Sequence, residues 1–339
     1  MIAKLDLQNF RNFKKKSLEF SDGITVIVGD NAVGKTNILE SLSLLSTGKS
    51  FKAKVEGEML RYNQELARIS GDIGDVKLEG IITKGENGWP KKRLLVNGVP
   101  KRLIDFAGNF KTVLFGPWDM DLVTETPSLR RKFLDTILSQ TDREYRRNFL
   151  SYEKGLRQRN RLLFNIRENG ASRSQLLFWN QLLIKNGDYI SNHRREFIEF
   201  VNDKSNQLSI HNLQLEYDPS AISEGRLEQY KNEEVASATT LVGPHRDDFT
   251  FVFEGRNLAS FGSRGEQRMG ILWLKMAELN FVEEKAGERP TLLLDDIFSE
   301  LDHEHRDIVM EVATKQQTII TTADEHFVEN FDSKGIIKL

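Results

Sequence analysis

Gly29-Asp30-Asn31-Ala32-Val33-Gly34-Lys35-Thr36 is the stretch that decides the fold. It matches the P-loop pattern at every specified position, and its flanks fit. Asp22-Gly23 marks a turn, and Ile24-Thr25-Val26-Ile27-Val28 is a β-branched run suited to a fully buried strand. Thr36 to Leu45 reads as a helix with Ile38, Leu39, Leu42 and Leu45 on one face. Glycines let the backbone curl so that successive N–H groups face phosphate oxygens, and the helix N-terminus adds partial positive charge. Gly29, Asn31, Gly34, Lys35, Thr36 and Asn37 are therefore the candidate nucleotide-binding residues. Lys35 is expected on the β- and γ-phosphates of ATP, and the Thr36 hydroxyl on Mg²⁺.

A P-loop needs a carboxylate opposite it to hold the metal. Thr291-Leu292-Leu293-Leu294-Asp295-Asp296 ends an apolar strand on two acids, a costly arrangement unless a cation neutralises them. Asp295 is the candidate Mg²⁺ ligand, and Asp296 the group that orients the attacking water or takes its proton. Taken alone, the pair also fits a plain turn. Upstream, Ser263-Arg264-Gly265-Glu266-Gln267-Arg268 opens a helix. Ser then Gly at a helix N-terminus suits an anion, while Ser263 with Glu266 three residues on also fits a capping box. Both uses can coexist.

The rest of the chain alternates in texture. Leu5-Asp6-Leu7-Gln8-Asn9-Phe10 has the period of a half-buried strand. Ala67 to Phe115 reads as short strands broken by Gly-Asp, Gly-Glu-Asn-Gly and Asn-Gly turns, with a hairpin at Val96-Asn97-Gly98-Val99. Ser128 to about Leu213 is helical, and Gly170 separates two helices of an antiparallel pair. Strands return at Phe249 to Phe253, a helix runs from Glu266 to about Glu284, and Ile319-Ile320 and Ile336-Ile337 are strand cores. The expected division is a head from 1–120 and 240–339 and a helical arm from 121–239.

The chain has 339 residues, 29% charged and 39% apolar, and a net charge of −2. No apolar run reaches the roughly 18 residues that span a bilayer, and the N-terminus lacks a signal-peptide pattern. The absence of cysteine excludes disulfides, thiolate metal sites and Cys nucleophiles. A cytoplasmic protein with no membrane association is expected. Lys and Arg outnumber Asp and Glu between Asp121 and Ile210, a mild bias that also fits a solvated helical surface.

The order of P-loop, long insertion, Ser-x-Gly-x-Gln and strand-Asp-acid resembles ABC-type ATPases. Ser299-Glu300-Leu301-Asp302 is similar to that class's D-loop, with Ser299 and Asp302 the residues of interest. Within the class the chain resembles the RecF family of bacterial recombinational repair proteins. The matching blocks are Leu7 to Phe13, Gly29 to Asn37, Thr47 to Phe51, Pro127 to Asp135, Arg157-Gln158-Arg159-Asn160, Gly243-Pro244-His245-Arg246-Asp247-Asp248 and Leu294 to Asp302. Phe115-Gly116-Pro117-Trp118-Asp119 departs from the family pattern, and so does the signature, which reads Arg264 and Glu266 where the family tends to have a neutral residue at the latter. Thr321-Thr322 follows Ile319-Ile320 where the ABC class has a histidine, as RecF-like chains tend to show.

The resemblance implies an α/β fold, an ABC-ATPase head with a mixed sheet and a P-loop, carrying a helical arm. It implies that Lys35, Thr36, Asp295 and Asp296 act in cis while Ser263, Gly265 and Gln267 meet the nucleotide of a second copy. ATP would then join a homodimer, and hydrolysis would part it, slowly, because a threonine hydroxyl does not accept a proton as imidazole does. It also implies action on duplex DNA beside single-stranded gaps, with RecR, RecO and RecA as partners. Candidate phosphate contacts on the arm are Arg143, Arg146, Arg147, Arg157, Arg159 and Arg161, with Arg194 and Arg195. Lys14-Lys15-Lys16 and Lys91-Lys92-Arg93 are expected in or near hairpin turns. A small-molecule kinase and a transporter subunit are the competing readings. His245, Arg246, Asp247 and Asp248 form either a site or a turn whose charges pair with each other.

Overall fold

The computed structural model describes residues 1–85, 89–204, 212–299, 301–324, 326–327 and 335–339. The described chain forms two compact units, one of Met1–Asp119 with Glu278–Leu339 and one of Met120–Ala277. The first boundary falls beside the expected residue 120. The second lies at Ala277, beyond the expected 240.

The N-terminal part contains β1 (Ile2–Phe10), β2 (Phe13–Glu19), β3 (Ile24–Val28), α1 (Lys35–Thr47), β4 (Leu66–Ile73), β5 (Val76–Thr83), β6 (Lys91–Val96), β7 (Val99–Lys101), α2 (Leu103–Phe106) and β8 (Thr112–Phe115). Six of these strands form an antiparallel sheet in the order β2-β1-β4-β5-β6-β7. Asn97 and Gly98 take positive φ in the β6–β7 turn, as an Asn-Gly hairpin requires. The expected turn containing residues 86–88 lies outside the described residues. Lys14, Lys15 and Lys16 lie in β2 directly after the β1–β2 turn closed by Phe10↔Phe13, and Lys91, Lys92 and Arg93 open β6 beside the β5–β6 turn. One face of the sheet, with Leu5, Leu7, Ala67, Ile69, Leu78 and Ile82, is buried in the core with Ile38, Leu39, Leu42, Leu44 and Leu45 of α1. A Cβ at Gly71 would stand 2.6 Å from Leu45 Cδ1, so the glycine permits the close approach of helix and sheet.

The second unit begins with α3 (Asp121–Thr124) and α4 (Pro127–Thr141). The long helices α5 (Arg143–Asn169) and α6 (Leu177–Lys204) follow, then β9 (Leu213–Asp218), α7 (Glu224–Gln229) and α8 (Lys231–Ser237). β10 (Asp248–Phe253), β11 (Arg256–Asn257), α9 (Leu258–Phe261) and α10 (Arg264–Ala286) close it, the boundary falling inside α10. Gly170, at φ 64°, caps the C-terminus of α5. Close packing joins α5 to α6: a Cβ at Gly155 would meet Leu182 at 2.6 Å. The unit's sheet has the antiparallel order β11-β10-β9.

On its return the chain forms β12 (Thr291–Asp295), α11 (His303–Ala313), β13 (Thr318–Thr322) and β14 (Ile336–Lys338). With β3 and β8 these make a five-stranded sheet, β14-β3-β13-β12-β8, in which every pairing is parallel. Strand senses are thus sorted into two sheets in this unit. Every residue of β12 and β13 is buried, which explains the continuous apolar and β-branched runs. α1 packs between the antiparallel and parallel sheets, so burial encircles it and includes Glu40, Ser41, Ser43 and Ser46. The buried Gln317 side chain ties the chain's two ends together. Its Nε2 donates to Ile2 O at 2.6 Å and Ser21 O at 2.9 Å, while Oε1 accepts from Ile2 N and Thr291 Oγ1, both at 2.9 Å. No described helix is long and apolar enough to cross a membrane.

Candidate functional site

The P-loop runs from the end of β3 into α1, with Ala32 at φ 69° and Gly34 at φ 112°. Left-handed residues alternating with right-handed ones turn successive N–H groups to one side, which makes a concave anion seat. A Cβ at Gly34 would lie 2.7 Å from the Asn12 amide and 2.8 Å from the Phe13 ring, so only glycine fits there. Lys35 Nζ donates to the carbonyls of Gly29 (2.6 Å) and Asp30 (2.9 Å), spanning the loop. Asn31 is exposed at its crown.

Walker-type partners meet across 259 residues of sequence: Thr36 Oγ1 donates to Asp295 Oδ2 at 2.8 Å. The other carboxylate oxygen, Oδ1, accepts from Thr321 Oγ1 at 2.5 Å. Asp295 is therefore held from α1 and β13 at once, at the end of β12. One carboxylate and one hydroxyl at the base of a phosphate seat is a donor set suited to Mg²⁺, which keeps waters and phosphate oxygens in its shell. The residues fit the metal. Asp296 follows with φ 51°, a left-handed value seldom taken by residues other than glycine, asparagine and aspartate. Its N–H donates to Thr321 O at 3.1 Å, and its carbonyl accepts from Ser299 Oγ at 2.7 Å.

Sequence reading gave no individual role to the hairpin tip that braces this loop. Asn12 Nδ2 donates to Val33 O at 2.7 Å and Asn12 Oδ1 accepts from Asn37 Nδ2 at 2.9 Å. Arg11 binds both oxygens of Glu40, at 2.7 and 2.5 Å, and Glu58 O at 2.6 Å. Ser50 Oγ also donates to Glu40. Glu40 is fully buried on α1, so its charge needs this bidentate partner. The Leu7–Phe13 and Thr47–Phe51 blocks thus converge on the nucleotide-loop helix. The divergent Phe115–Asp119 stretch also has a packing role: Trp118 stacks on Phe51 at 4.9 Å, and Asp119 Oδ2 accepts from Gly116 N at 2.8 Å.

At the start of α10 the capping box is complete. Ser263 N donates to Glu266 Oε2 at 2.6 Å, and Glu266 N donates to Ser263 Oγ at 3.3 Å. The Ser263 backbone bond lowers the Glu266 pKa below the ordinary carboxylate value. Gln267 is buried, its amide donating to Leu258 O (3.2 Å) and Gly262 O (3.3 Å), so within the chain it staples the loop. A Cβ at Gly265 would have only Ser263 Oγ near it, at 4.0 Å. Of the D-loop residues, Asp302 caps α11 by accepting from His305 N (3.0 Å) and Nδ1 (2.7 Å), and Glu300 lies outside the described residues.

The arm arginines divide sharply. Arg159 is 2% exposed and spends its guanidinium on Asn180, Thr240 and Glu234, while Arg194 binds Asp135 and Asp247. Arg146 is also buried, against Ser139 O. These three are buried, with Arg159 and Arg194 in ion pairs inside the fold, which weighs against their selection as DNA contacts. Arg143, Arg147, Arg157, Arg161 and Arg195 are exposed, Arg147 pairing with Glu144 at 2.8 Å and Arg195 Nη1 donating to Asn192 Oδ1 at 3.2 Å.

The Gly243–Asp248 turn pairs outward rather than internally. Asp247, fully buried, accepts from Ser220 N (2.7 Å), Ser191 Oγ (3.2 Å), Tyr217 OH (2.5 Å) and Arg194 (2.9 Å). Asp248 binds Arg130 at 2.7 Å. His245 accepts from Tyr152 OH at Nδ1 (2.8 Å) and meets Thr240 O at Nε2 (3.0 Å), where it donates as the neutral ring. Burial, the largest cause, pushes the imidazole pKa down to about 4. Tyr152 and Tyr217 are raised by burial first and by Asp247 second.

A P-loop leaving a parallel sheet, an acid-ended strand beside it, an antiparallel sheet over its helix and a largely helical insertion define an ABC-type ATPase head of the SMC-like kind. The head of an Smc protein, solved bound to the C-winged helix domain of ScpA, shares the fold at TM-score 0.54 and 16% identity, over 99% of this chain and 94% of that one. The chain belongs to the RecF family. Residues 1–235 match the AAA ATPase domain family model. The DNA replication and repair protein RecF of Lachnoclostridium phytofermentans is 35% identical, over 97% of this chain and 95% of the relative. That of Herpetosiphon aurantiacus is 34% identical, over 98% and 96%. A solved structure of the recombination mediator protein RecF with ATP, of the RecFOR pathway, superposes with TM-score 0.88 at 32% identity, covering 98% of this chain and 93% of that one.

Proposed function

We propose that this chain is an ATP-driven clamp of DNA repair. ATP binding closes a homodimer on duplex DNA near single-stranded gaps, slow hydrolysis releases it, and the clamp works with RecR and RecO to place RecA. It acts in the cytoplasm. The observation that carries the reading is the junction of Thr36, Asp295 and Thr321 beside the Lys35 loop. Lys35, freed from the Gly29 and Asp30 carbonyls, transfers its donors to the β- and γ-phosphates, and the N–H groups of Gly34 to Asn37 hold the remaining oxygens. Thr36 and Asp295 would hold Mg²⁺, which would supply positive charge against the phosphates. Asp296 orients the attacking water or takes its proton. Thr321, bonded to Asp295, stands near the C-terminal end of β13 in place of an imidazole proton acceptor, which favours slow turnover.

Gly265 supports a shared site. Glycine is a poorer helix former than alanine, by up to about 1 kcal/mol, and no packing among the described residues requires it here. A surface approaching from a second copy supplies the requirement, with Ser263 and Gly265 facing that copy's terminal phosphate and Ser299 and Asp302 near the contact. The exposed Arg143, Arg147, Arg157 and Arg161 contact duplex phosphates. Sedimentation velocity tests the scheme. Wild type shifts from monomer to dimer with Mg-ATP, Lys35→Arg stays monomeric, and Asp296→Asn dimerises and persists. Rapid turnover by Asp296→Asn would remove Asp296 from its role.

A further inference from the structure

The antiparallel sheet has a second face, turned away from α1, and one end of it joins exposed aromatic groups to unpaired cations. Cross-strand partners share a face, so the register Leu66↔Thr83↔Lys91 makes one row and Arg68↔Ile81↔Arg93 the next. Leu66, Arg68, Lys91 and Arg93 are exposed, while the alternate positions Ala67, Ile69 and Ile82 are buried. Two loops border this end. Tyr62 lies in the turn before β4, where Gln64 N bonds Arg61 O at 2.9 Å, and Trp89 lies in the chain entering β6, its carbonyl accepting from Gly85 N at 3.1 Å. The loops are joined by Lys84 N donating to Glu65 O at 2.8 Å, and a Cβ added at Gly57 would stand 3.7 Å from Pro90 Cγ. Tyr62 is 87% exposed and Trp89 77% exposed, values far from those of rings that serve a core.

The charge around these rings is one-sided. Among the described residues, the side chains of Arg61, Lys84, Lys91 and Arg93 have no carboxylate partner. Glu56 is taken by Lys92, Glu58 accepts the Lys54 backbone N–H at 2.9 Å, and Arg68 is paired to Glu79. Among the described residues at this end, Glu58 and Glu65 are the exposed acids, against the four cations. Open rings with unpaired cations beside them suit a chain of stacked bases with phosphates between, because every base has a π-face and every linkage a charge. A protein partner of matching chemistry would need acidic groups alternating with apolar ones, whereas a nucleic-acid strand supplies both with each nucleotide.

We propose that this end of the antiparallel sheet is a binding site for single-stranded nucleic acid, bases stacking on Tyr62 and Trp89 while phosphates meet Arg61, Lys84, Lys91 and Arg93. It rests on the DNA-clamp reading above and assigns the single-stranded side of a gap to a surface distinct from the arm arginines. The site also borders the nucleotide-loop brace: the segment between α1 and β4 carries Glu58, whose carbonyl holds Arg11.

The experiment is fluorescence anisotropy of labelled dT20 and of a blunt 20-base-pair duplex with the full chain at low salt and without nucleotide. Independence from ATP separates it from the dimerisation test. Tyr62→Ala/Trp89→Ala is expected to weaken dT20 binding by roughly 30-fold, the size of two lost base–aromatic stacks, with duplex binding within about 3-fold of wild type. Tyr62→Phe/Trp89→Phe keeps the rings and restores dT20 affinity. Lys91→Gln and Arg93→Gln each lower the salt slope on dT20 by about 0.7. The proposal is overturned if the alanine pair binds dT20 like wild type, which would leave the rings to a protein partner, if duplex binding falls equally, or if wild type does not bind dT20. Both rings are exposed, so unchanged melting of the variants is expected and is checked alongside.

Discussion

Thr321 shows how one hydroxyl can hold a carboxylate in place. Its Oγ1 lies 2.5 Å from Asp295 Oδ1, and the opposite oxygen is held by Thr36. Thr321→Val keeps the shape and β-branching of a fully buried strand position but removes the donor. The lost bond is expected to reduce stability by about 1 kcal/mol and to weaken Mg-ATP binding, since Asp295 is then free to turn. Urea denaturation and an ATP titration read the two effects separately. Unchanged nucleotide affinity would mean that β12 alone orients the carboxylate. Thr321 stands out in the sequence only for the histidine it replaces, and the Arg11–Glu40 pair not at all, because their importance lies in partners contributed by distant segments.

Among the elements, α5 shows why counting arginines does not separate core cations from surface ones. Tyr152, Gly155, Arg159 and Leu163 are buried and follow the three- and four-residue steps of one helix face. Arg159 was legible as a core residue from that stripe, and Arg157 and Arg161 fall off it. Arg159→Leu is expected to destabilise the chain by about 3–5 kcal/mol, because Glu234 is left charged and buried. Arg157→Gln and Arg161→Gln should leave melting unchanged and each reduce the salt slope of duplex binding by about 0.9. The turn before β10 gives a pH prediction. His245 has its folded pKa pushed down to about 4, so the unfolded state takes the proton more readily. Its contribution, about 3 kcal/mol by linkage, is present in full above pH ~6.5 and is lost as pH falls towards 4. Urea midpoints between pH 8 and 5 should fall less steeply for His245→Gln than for wild type.

For the molecule as a whole, the prediction concerns association. Gly265→Ala meets open space among the described residues and replaces a poor helix former with a good one. Monomer stability should hold or rise by up to about 1 kcal/mol, while ATP-dependent dimerisation weakens at least about tenfold if a second copy packs there. Equilibrium sedimentation with Mg-ATP measures the latter. A variant that dimerises normally would remove the start of α10 from the interface.

By itself the sequence determined whatever is encoded over a few neighbouring residues. The P-loop, the acid at the end of an apolar strand, the Ser263–Glu266 cap and the Asn97-Gly98 turn are local patterns whose physics is complete within the segment. Those patterns, in their order, were enough to define the class of head. Tertiary structure alone decided which charges are spent. Glu40 faces Arg11, Asp247 gathers donors from α6, β9 and the chain at Ser220, and Gln317 joins two ends 315 residues apart. A side chain's charge is written in its identity, but whether that charge meets water, a buried partner or a ligand depends on burial. Burial is set by segments that are far apart along the chain.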